Sequence, residues 1–401
     1  MSTTTPKRGH LVAIGTIMLM FLGTIYAWSY FKTSLRELFP MWNDKQLSLT
    51  FTIMMIMFAT GGLAGGKLTG RLGRRNLGFL AGALMFLGFF AISCLPVDKP
   101  GLALPMLYIF YGGFTGFAVG IGYNVVISGV NSWFPDKDGL VSGILLTGFG
   151  LGSLIIGNAA DLLLRSMSLF SVFRLLGSVS AVAVIAGSFF LKDPGNTPLP
   201  PPRAKAQIPG SRDYSTAEMI RRPTFWIYFC WNLCMGATGL LVINNAASIS
   251  LFFGAAATVG LIVSLFNSGG RLLIGLCMDK FGWKTTMFIS NGSIIAAGVF
   301  MVLGNALGAF PVIFIGMLMA GVCYGGGVTI QTSLIRYFYG SKYYPVNVST
   351  CNLVTIPSAI IGPMISAALV DAAGGSFGPT FIMVIVMGFV SLILNFLIRK
   401  P

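Results

Sequence analysis

Apolar residues along this chain run in long blocks separated by short polar stretches. A bilayer core about 30 Å thick needs about 20 such residues in one helix. Twelve blocks are of that size: 11–31, 47–69, 77–95, 103–130, 139–163, 170–191, 224–250, 255–278, 285–305, 310–334, 346–370 and 378–398. The pattern predicts an all-α membrane protein with twelve transmembrane helices. The first block follows "MSTTTPKRGH" much as a signal-peptide core would. It lacks an A-x-A-like end and further spans follow, so it reads as the first retained helix.

One stretch, 193–223, divides six blocks from six. Its first half is Pro-rich and reads as a semi-rigid linker. Its second half begins with a Ser215-x-x-Glu218 capping pattern and ends at Pro223, which predicts a short interfacial helix. The expected organisation is therefore an N-terminal six-helix bundle (1–191), a cytoplasmic linker with that short helix (192–222) and a C-terminal six-helix bundle (223–401).

Composition supports the membrane reading. Only 9% of the 401 residues are charged and mean hydropathy is +0.82, whereas soluble domains carry about 25% charged residues. The net charge of +15 is scattered in singles and pairs between the blocks. A nucleic-acid site would cluster it on one face, so no nucleic acid is expected; the cations report topology instead. With the N-terminus inside, nineteen of the 26 fall on the inner side: Lys7, Arg8, Lys67, Arg71, Arg74, Arg75, Lys137, Lys192, Arg203, Lys205, Arg212, Arg221, Arg222, Lys280, Lys284, Arg336, Lys342, Arg399 and Lys400. The positive-inside rule then puts both termini in the cytoplasm of a cell inner (plasma) membrane protein. The six cysteines lie within apolar blocks without a CxxC pair, and His10 is the one histidine. No metal, cofactor or disulfide framework is expected, nor ATP drive, since no Walker-type loop is present.

Arg271 is the exception to this segregation. It lies eight residues before Asp279, which marks the inner end of the eighth block, hence roughly 12 Å into the membrane at 1.5 Å per residue. A charge there costs at least about 2.5–3.5 kcal/mol. Guanidinium cannot shed its proton and pairs well with carboxylates. The 11 acidic residues lie in loops or at block ends, so the missing anion is read as a substrate carboxylate. Backbone carbonyls, a tyrosine or waters are the structural alternative. Asn267, one turn earlier on the same face, could donate to that carboxylate or bond a neighbouring helix. Tyr123, eight residues before Asn131, falls near Arg271's depth.

The two halves echo each other. "GGLAGGKLTGRLGRRN" from Gly61 and "GRLLIGLCMDKFGWKT" from Gly270 both close a block and enter a basic loop, with Gly73 and Gly282 in register. These loops resemble the G-x-x-x-D-R/K-x-G-x-R/K signature of the major facilitator superfamily. The second copy is complete in Gly275, Asp279, Lys280, Gly282 and Lys284. The first has Gly66, Arg71, Gly73, Arg74 and Arg75, but Gly70 where the family has Asp. The resemblance implies the major facilitator fold and assigns the loops to conformational control; the missing Asp implies a weaker latch in the first copy.

"YAWSYF" (26–31), "NSWFPDKDGLVSG" (131–143), "MIRRPTFW" (219–226) and "FNSGGRLLIGLCMDKFG" (266–282) resemble the oxalate/formate antiporter family, related to monocarboxylate transporters. That resemblance implies a small organic anion as substrate and Arg271 as the substrate arginine. If spans one, four, seven and ten line the cavity, as the superfamily implies, then Tyr26, Tyr123 and Tyr324 supply aromatic walls and hydroxyls. Packing is the alternative role for each. In the oxalate/formate antiporter a span-eleven lysine partners the arginine. Here "VSTCNLVTIPSAIIG" (348–362) contains no basic residue, which points to a monoanion, with Asn352 in part of the vacated space. Lys32, which is similar in place to a functional lysine of monocarboxylate transporters, is expected to lie just outside span one and snorkel to the interface. Gly112, Gly116 and Gly120, and Gly148 and Gly152, have the four-residue spacing of close helix contacts. Gly362-Pro363 suggests a local bend.

The expected protein is thus a monomeric secondary transporter of a lactate-, pyruvate- or formate-type monocarboxylate. It would act by alternating access, in symport with protons or in exchange for a counter-anion. Dicarboxylate antiport and a transporter-like sensor without flux are the alternatives. An enzyme is not expected, because no nucleophile–base constellation exists.

Overall fold

The computed structural model describes residues 8–195, 197, 199–200, 212–340 and 342–401, with the side chains of Asp138, Gly139, Asp279 and Pro345 outside the description. Lys7, Arg203, Lys205 and most of the Pro-rich linker therefore lie outside the described residues.

The described residues form helices joined by short connections, with no strand among them. Eleven helices are long and apolar enough to cross a membrane. The second, Asp44–Ile92, runs for 49 residues, about 73 Å at 1.5 Å per residue and over twice a bilayer core. It is interrupted at Gly73 (φ 76°, ψ 154°), so its arms, 44–72 and 74–92, are two back-to-back spans and the expected twelve are accounted for. We label the spans α1 (Gly9–Leu38), α2 (44–72), α3 (74–92), α4 (Pro100–Asn131), α5 (Leu140–Leu164) and α6 (Leu169–Ser188). They continue as α7 (Pro223–Phe252), α8 (Ala257–Met278), α9 (Lys280–Leu307), α10 (Phe310–Tyr339), α11 (Val346–Ala372) and α12 (Gly378–Leu397). Gly282, with φ 75° and ψ 170°, breaks the continuous helix Ile262–Leu307 at the start of α9, as Gly73 breaks Asp44–Ile92 between α2 and α3. Both glycines hold the left-handed backbone that other residues adopt only at a cost.

Contacts divide the chain into two compact units, one of Met1–Trp28 and Ile53–Ala206, the other of Ser29–Thr52 and Gln207–Pro401. The segment 29–52 thus groups with the second unit rather than with its sequence neighbours. In the first unit, glycines set the helix spacing. A Cβ on Gly116 or Gly120 would strike the α2 backbone at Met54 or Phe58, and one on Gly148 or Gly152 would strike α1 at Thr16 or Met20. These are four of the five glycines whose spacing predicts close contact. The α1 helix tightens to a 3-10 turn over Gly23–Ala27, where Gly23 abuts the Phe149 carbonyl.

In the second unit, Gly270, Gly321, Gly325 and Gly326 bring α8 and α10 together, and Gly362 abuts Ala237 of α7. The short helix Thr216–Ile220 carries the anticipated capping box between Ser215 and Glu218. Its flanks are tied down by Thr216 donating to Asn347 Oδ1 (2.8 Å), Asn347 to Tyr214 O (3.1 Å) and Tyr214 N to Tyr339 O (3.0 Å).

Candidate functional site

Arg271 projects from α8 with its Nε and Nη1 buried and without a hydrogen-bond partner, and it forms no ion pair with any described residue. Asn267, one turn away and 1% exposed, likewise leaves both Oδ1 and Nδ2 unpartnered. Buried polar groups are almost always paired, and an unmet one costs about 1–3 kcal/mol, more for a charge. Four orphaned atoms on one helix face are therefore a concentrated deficit. Arg271's main chain is conventional, its carbonyl accepting from Thr329 Oγ1 of α10 (3.1 Å). Gly325 lets α10 lie against Asn267: a Cβ there would fall on the Asn267 carbonyl oxygen. The packing is tight, yet it supplies no counter-charge. A carboxylate would accept from the guanidinium and from Asn267 Nδ2, leaving Asn267 Oδ1 for a hydroxyl or water.

Tyr324 and Asn352 belong together in a different part of this unit. They line a small, partly open cleft together with Asn232, Gln331, Thr355 and Ser358. Tyr324 packs on Gly239 of α7, where a Cβ would overlap its side chain. Asn352 is exposed and accepts from Gln331 Nε2, while Asn232 Nδ2 donates to Gln331 Oε1 (2.7 Å). Just past Asn352, α11 loses its regular form at Leu353–Val354, where i→i+3 bonds replace the α pattern. Pro357 explains the break, since it has no N–H for the Leu353 carbonyl and its ring crowds that carbonyl. Pro363, by contrast, sits inside the helix Thr355–Ala372.

Tyr26 and Tyr123 pack on a shared ring, Phe149, in the first unit. Their rings stand edge-on to Phe149 at 5.4 and 5.0 Å, and Phe58 meets Tyr123 at 5.3 Å. Such edge-to-face clusters make a rigid apolar wall carrying hydroxyls at its border. Tyr26 lies in the 3-10 turn of α1.

The snorkelling expectation for Lys32 is overturned. This residue lies within α1 and is only 1% exposed. Its Nζ is 2.8 Å from Asp44 Oδ1 and donates to Ser48 Oγ (3.1 Å) and Asn245 Oδ1 (3.0 Å). An ammonium has three donors, and all three find acceptors, so the head has no need to reach the interface. Asp44, also 1% exposed, additionally meets Arg36 Nη1 at 3.3 Å. Asn245 Nδ2 donates to Ser366 Oγ (2.9 Å) and Asn244 Nδ2 to Ser48 Oγ (2.9 Å). Sequence reasoning passed over Asp44 as a block-end residue. The signal was the adjacent amide pair Asn244-Asn245 in an otherwise apolar run.

At the loop motifs, Arg74 pairs with Asp193 and Arg75 lies over Phe79 and Phe189 (5.3 and 4.6 Å). Arg71 is exposed, and Gly66 faces Asn124. In the second copy, Lys284 Nζ donates to Asn395 O and Ile398 O (both 2.9 Å). Lys280 stands over Phe281, and Gly275 faces Thr329. The Asp279 side chain lies outside the described residues.

A family model for the Major Facilitator Superfamily matches residues 11–355. The chain belongs to the major facilitator superfamily. This superfamily member is 29% identical to the uncharacterized MFS-type transporter YhjX of Escherichia coli, over 82% of its own length and 80% of that protein. It is 27% identical to the oxalate:formate antiporter of Oxalobacter formigenes, over 95% and 89% of the two chains. Its fold matches the xylose transporter XylE from E. coli with a TM-score of 0.72 at 15% identity, covering 98% of each chain. The superfamily member is therefore a multi-pass membrane transporter rather than an enzyme, with the major facilitator fold.

Proposed function

We propose that this transporter carries small monocarboxylates and that Arg271 holds the carboxylate. The observation that supports it most is the unpaired polar face of α8: Arg271 Nε and Nη1 with Asn267 Oδ1 and Nδ2, buried and unmet. A carboxylate satisfies the three donors, Arg271 Nε and Nη1 and Asn267 Nδ2, and a hydroxyl or water can satisfy Asn267 Oδ1. The resemblance to an oxalate:formate antiporter agrees with an organic anion. The absence of any basic residue from 348–362 favours one carboxylate over two. Tyr26, Tyr123, Tyr324 and Asn352 complete the proposed substrate machinery. Gly66, Arg71, Gly73, Arg74, Arg75, Gly275, Asp279, Lys280, Gly282 and Lys284 bias the conformational equilibrium. The nineteen inner cations support cytoplasmic termini. No carboxylate partners Arg271 among the described residues, so charge is balanced by a proton moving on the substrate or by an exchanged anion.

Counterflow tests this reading. Proteoliposomes loaded with unlabelled lactate, pyruvate, formate or oxalate are exposed to the same labelled anion. Accumulation of the monoanions above that of oxalate is expected. Oxalate exchange as fast as any monoanion would contradict the single-carboxylate reading, and binding without flux would favour a sensor.

A further inference from the structure

The segment Ser29–Thr52 ends α1, crosses to α2 and starts it. It groups with the second unit, although the residues on either side of it group with the first. The change at Trp28–Ser29 follows directly on the 3-10 turn Gly23–Ala27 of α1, and a 3-10 stretch inside a longer helix often marks a hinge. Four hydrogen bonds tie the segment to α7 and α11. Lys32 Nζ donates to Asn245 Oδ1 (3.0 Å), Asn244 Nδ2 to Ser48 Oγ (2.9 Å), Thr52 Oγ1 to Ala359 O (2.9 Å) and Lys45 N to Asp371 Oδ2 (3.3 Å).

The charges are arranged differently from the hydrogen bonds. Both ion pairs of the segment, Lys32–Asp44 and Arg36–Asp44, are internal to it. The buried groups that receive it, the Asn244 and Asn245 amides and the Ala359 carbonyl, are neutral. Lifting the segment therefore severs no ion pair, because Lys32 and Asp44 leave together and neutralise each other. Had that pair been split across the boundary, each opening would strand a charge on either side and the segment would be held shut. Nor is the docked arrangement fully satisfied. Asp44 Oδ2 and Asn244 Oδ1 are buried without a hydrogen-bond partner among the described residues, a deficit that contact with water removes. Few bonds, no severed ion pair and two unmet acceptors describe a contact built to open.

We infer that Ser29–Thr52 is a strap that lifts from α7 and α11 and reseats in each transport cycle, carrying the Lys32–Asp44 pair intact. Asn245 is its catch. The 3-10 turn absorbs the change in α1, while α2 is unbroken from Asp44 to Leu72 and moves with the strap. Lys32 thereby serves closure, and the inference does not depend on which anion is carried.

Labelling of a buried thiol tests this. Thr52 is 2% exposed and faces α11, so the thiol of Thr52→Cys reacts only when the strap lifts. The purified protein in detergent is treated with a charged maleimide, and each cysteine is followed by mass spectrometry. Cys323, buried with its Sγ on the Ser290 carbonyl, is the internal reference. The thiol of Thr52→Cys should react at least about tenfold faster than Cys323. Adding Asn245→Leu, which removes the acceptor of Lys32, should raise that rate about tenfold, equivalent to about 1.4 kcal/mol. Adding Asn245→Asp instead sets a carboxylate against Lys32 across the boundary and should lower it by about the same factor. In proteoliposomes, Asn245→Asp alone should slow counterflow of whichever of lactate, pyruvate, formate and oxalate the wild type exchanges fastest. A static tie would leave the thiol of Thr52→Cys as unreactive as Cys323 and indifferent to both changes at Asn245, which would overturn the inference. Slower labelling with wild-type counterflow in Asn245→Asp would overturn it too, since the lift would then lie outside the cycle. If Asn245→Leu speeds labelling of Cys323 equally, the fold has loosened and Asn245→Asp decides alone: slower labelling supports the strap and an unchanged rate refutes it. The labelling result stands even where none of the four anions is carried.

Discussion

Removing Asp44 should harm the protein more than removing Lys32, although the two form one ion pair. Both side chains are 1% exposed and 2.8 Å apart. Breaking a buried pair from one side costs about 3–5 kcal/mol, because the remaining charge is left desolvated and unpaired. The two sides are not equivalent here. Asp44 keeps a second cation, since Arg36 Nη1 lies 3.3 Å from the same oxygen with its own side chain half exposed. Among the described residues Lys32 has no second carboxylate within ion-pair distance, only Ser48 and Asn245. Asp44→Ala should therefore cost about 3–5 kcal/mol, and Lys32→Met about 1–3 kcal/mol, the scale of an unmet buried polar group. The double variant Lys32→Met with Asp44→Leu should recover much of the loss, because apolar replacement of a buried pair is often neutral. Thermal unfolding of the detergent-solubilised protein reads this as a lower midpoint for Asp44→Ala than for Lys32→Met, with the double variant above Asp44→Ala. Equal midpoints for the single variants, or losses below about 1 kcal/mol as for surface pairs, would refute the buried, asymmetric pairing.

Two further perturbations follow from the geometry. Gly325→Ala should lower both stability and transport, because the added methyl would fall on the Asn267 carbonyl; a variant that unfolds and transports like wild type would show that α8 and α10 can separate at no cost. At the short linker helix, hydrogen bonds from the Ser215 backbone N–H and then its hydroxyl hold the Glu218 carboxyl below its usual range. A lowered carboxylate stabilises the folded cap above its unfolded pKa and stops doing so as pH falls through the folded value. Amide exchange at Ser215 and Glu218, corrected for intrinsic rates, should show protection at neutral pH that is lost below about pH 4; Ser215→Ala, which keeps the backbone donor, should weaken that pH dependence, and Glu218→Gln should abolish it.

The fold was largely legible because a bilayer tolerates few solutions: each apolar block had to become a helix. The repeated loops foretold Gly73 and Gly282, whose positive φ follows from two sharp reversals at equivalent places. Arg271 stood out because a lone guanidinium in an apolar run has no local remedy. The burial of Lys32 was hard to read, because its acceptor Asn245 is 213 residues away in sequence and the Asn244-Asn245 pair in an apolar run signals a buried polar partner without saying which. The α11 break was readable in principle from Pro357, but the apolar pattern continues across it.

The central claim is that Arg271 binds the substrate carboxylate, and uptake by Arg271 variants tests it most directly. Wild type, Arg271→Lys and Arg271→Ala are reconstituted at equal density and assayed with labelled lactate, pyruvate and formate. Truncating one partner of a buried hydrogen-bonded charge pair costs about 2–5 kcal/mol. Arg271→Ala should therefore lose at least about thirtyfold in apparent affinity, with Arg271→Lys intermediate because a point charge cannot reproduce the planar fork. Wild-type uptake by Arg271→Ala would contradict the account.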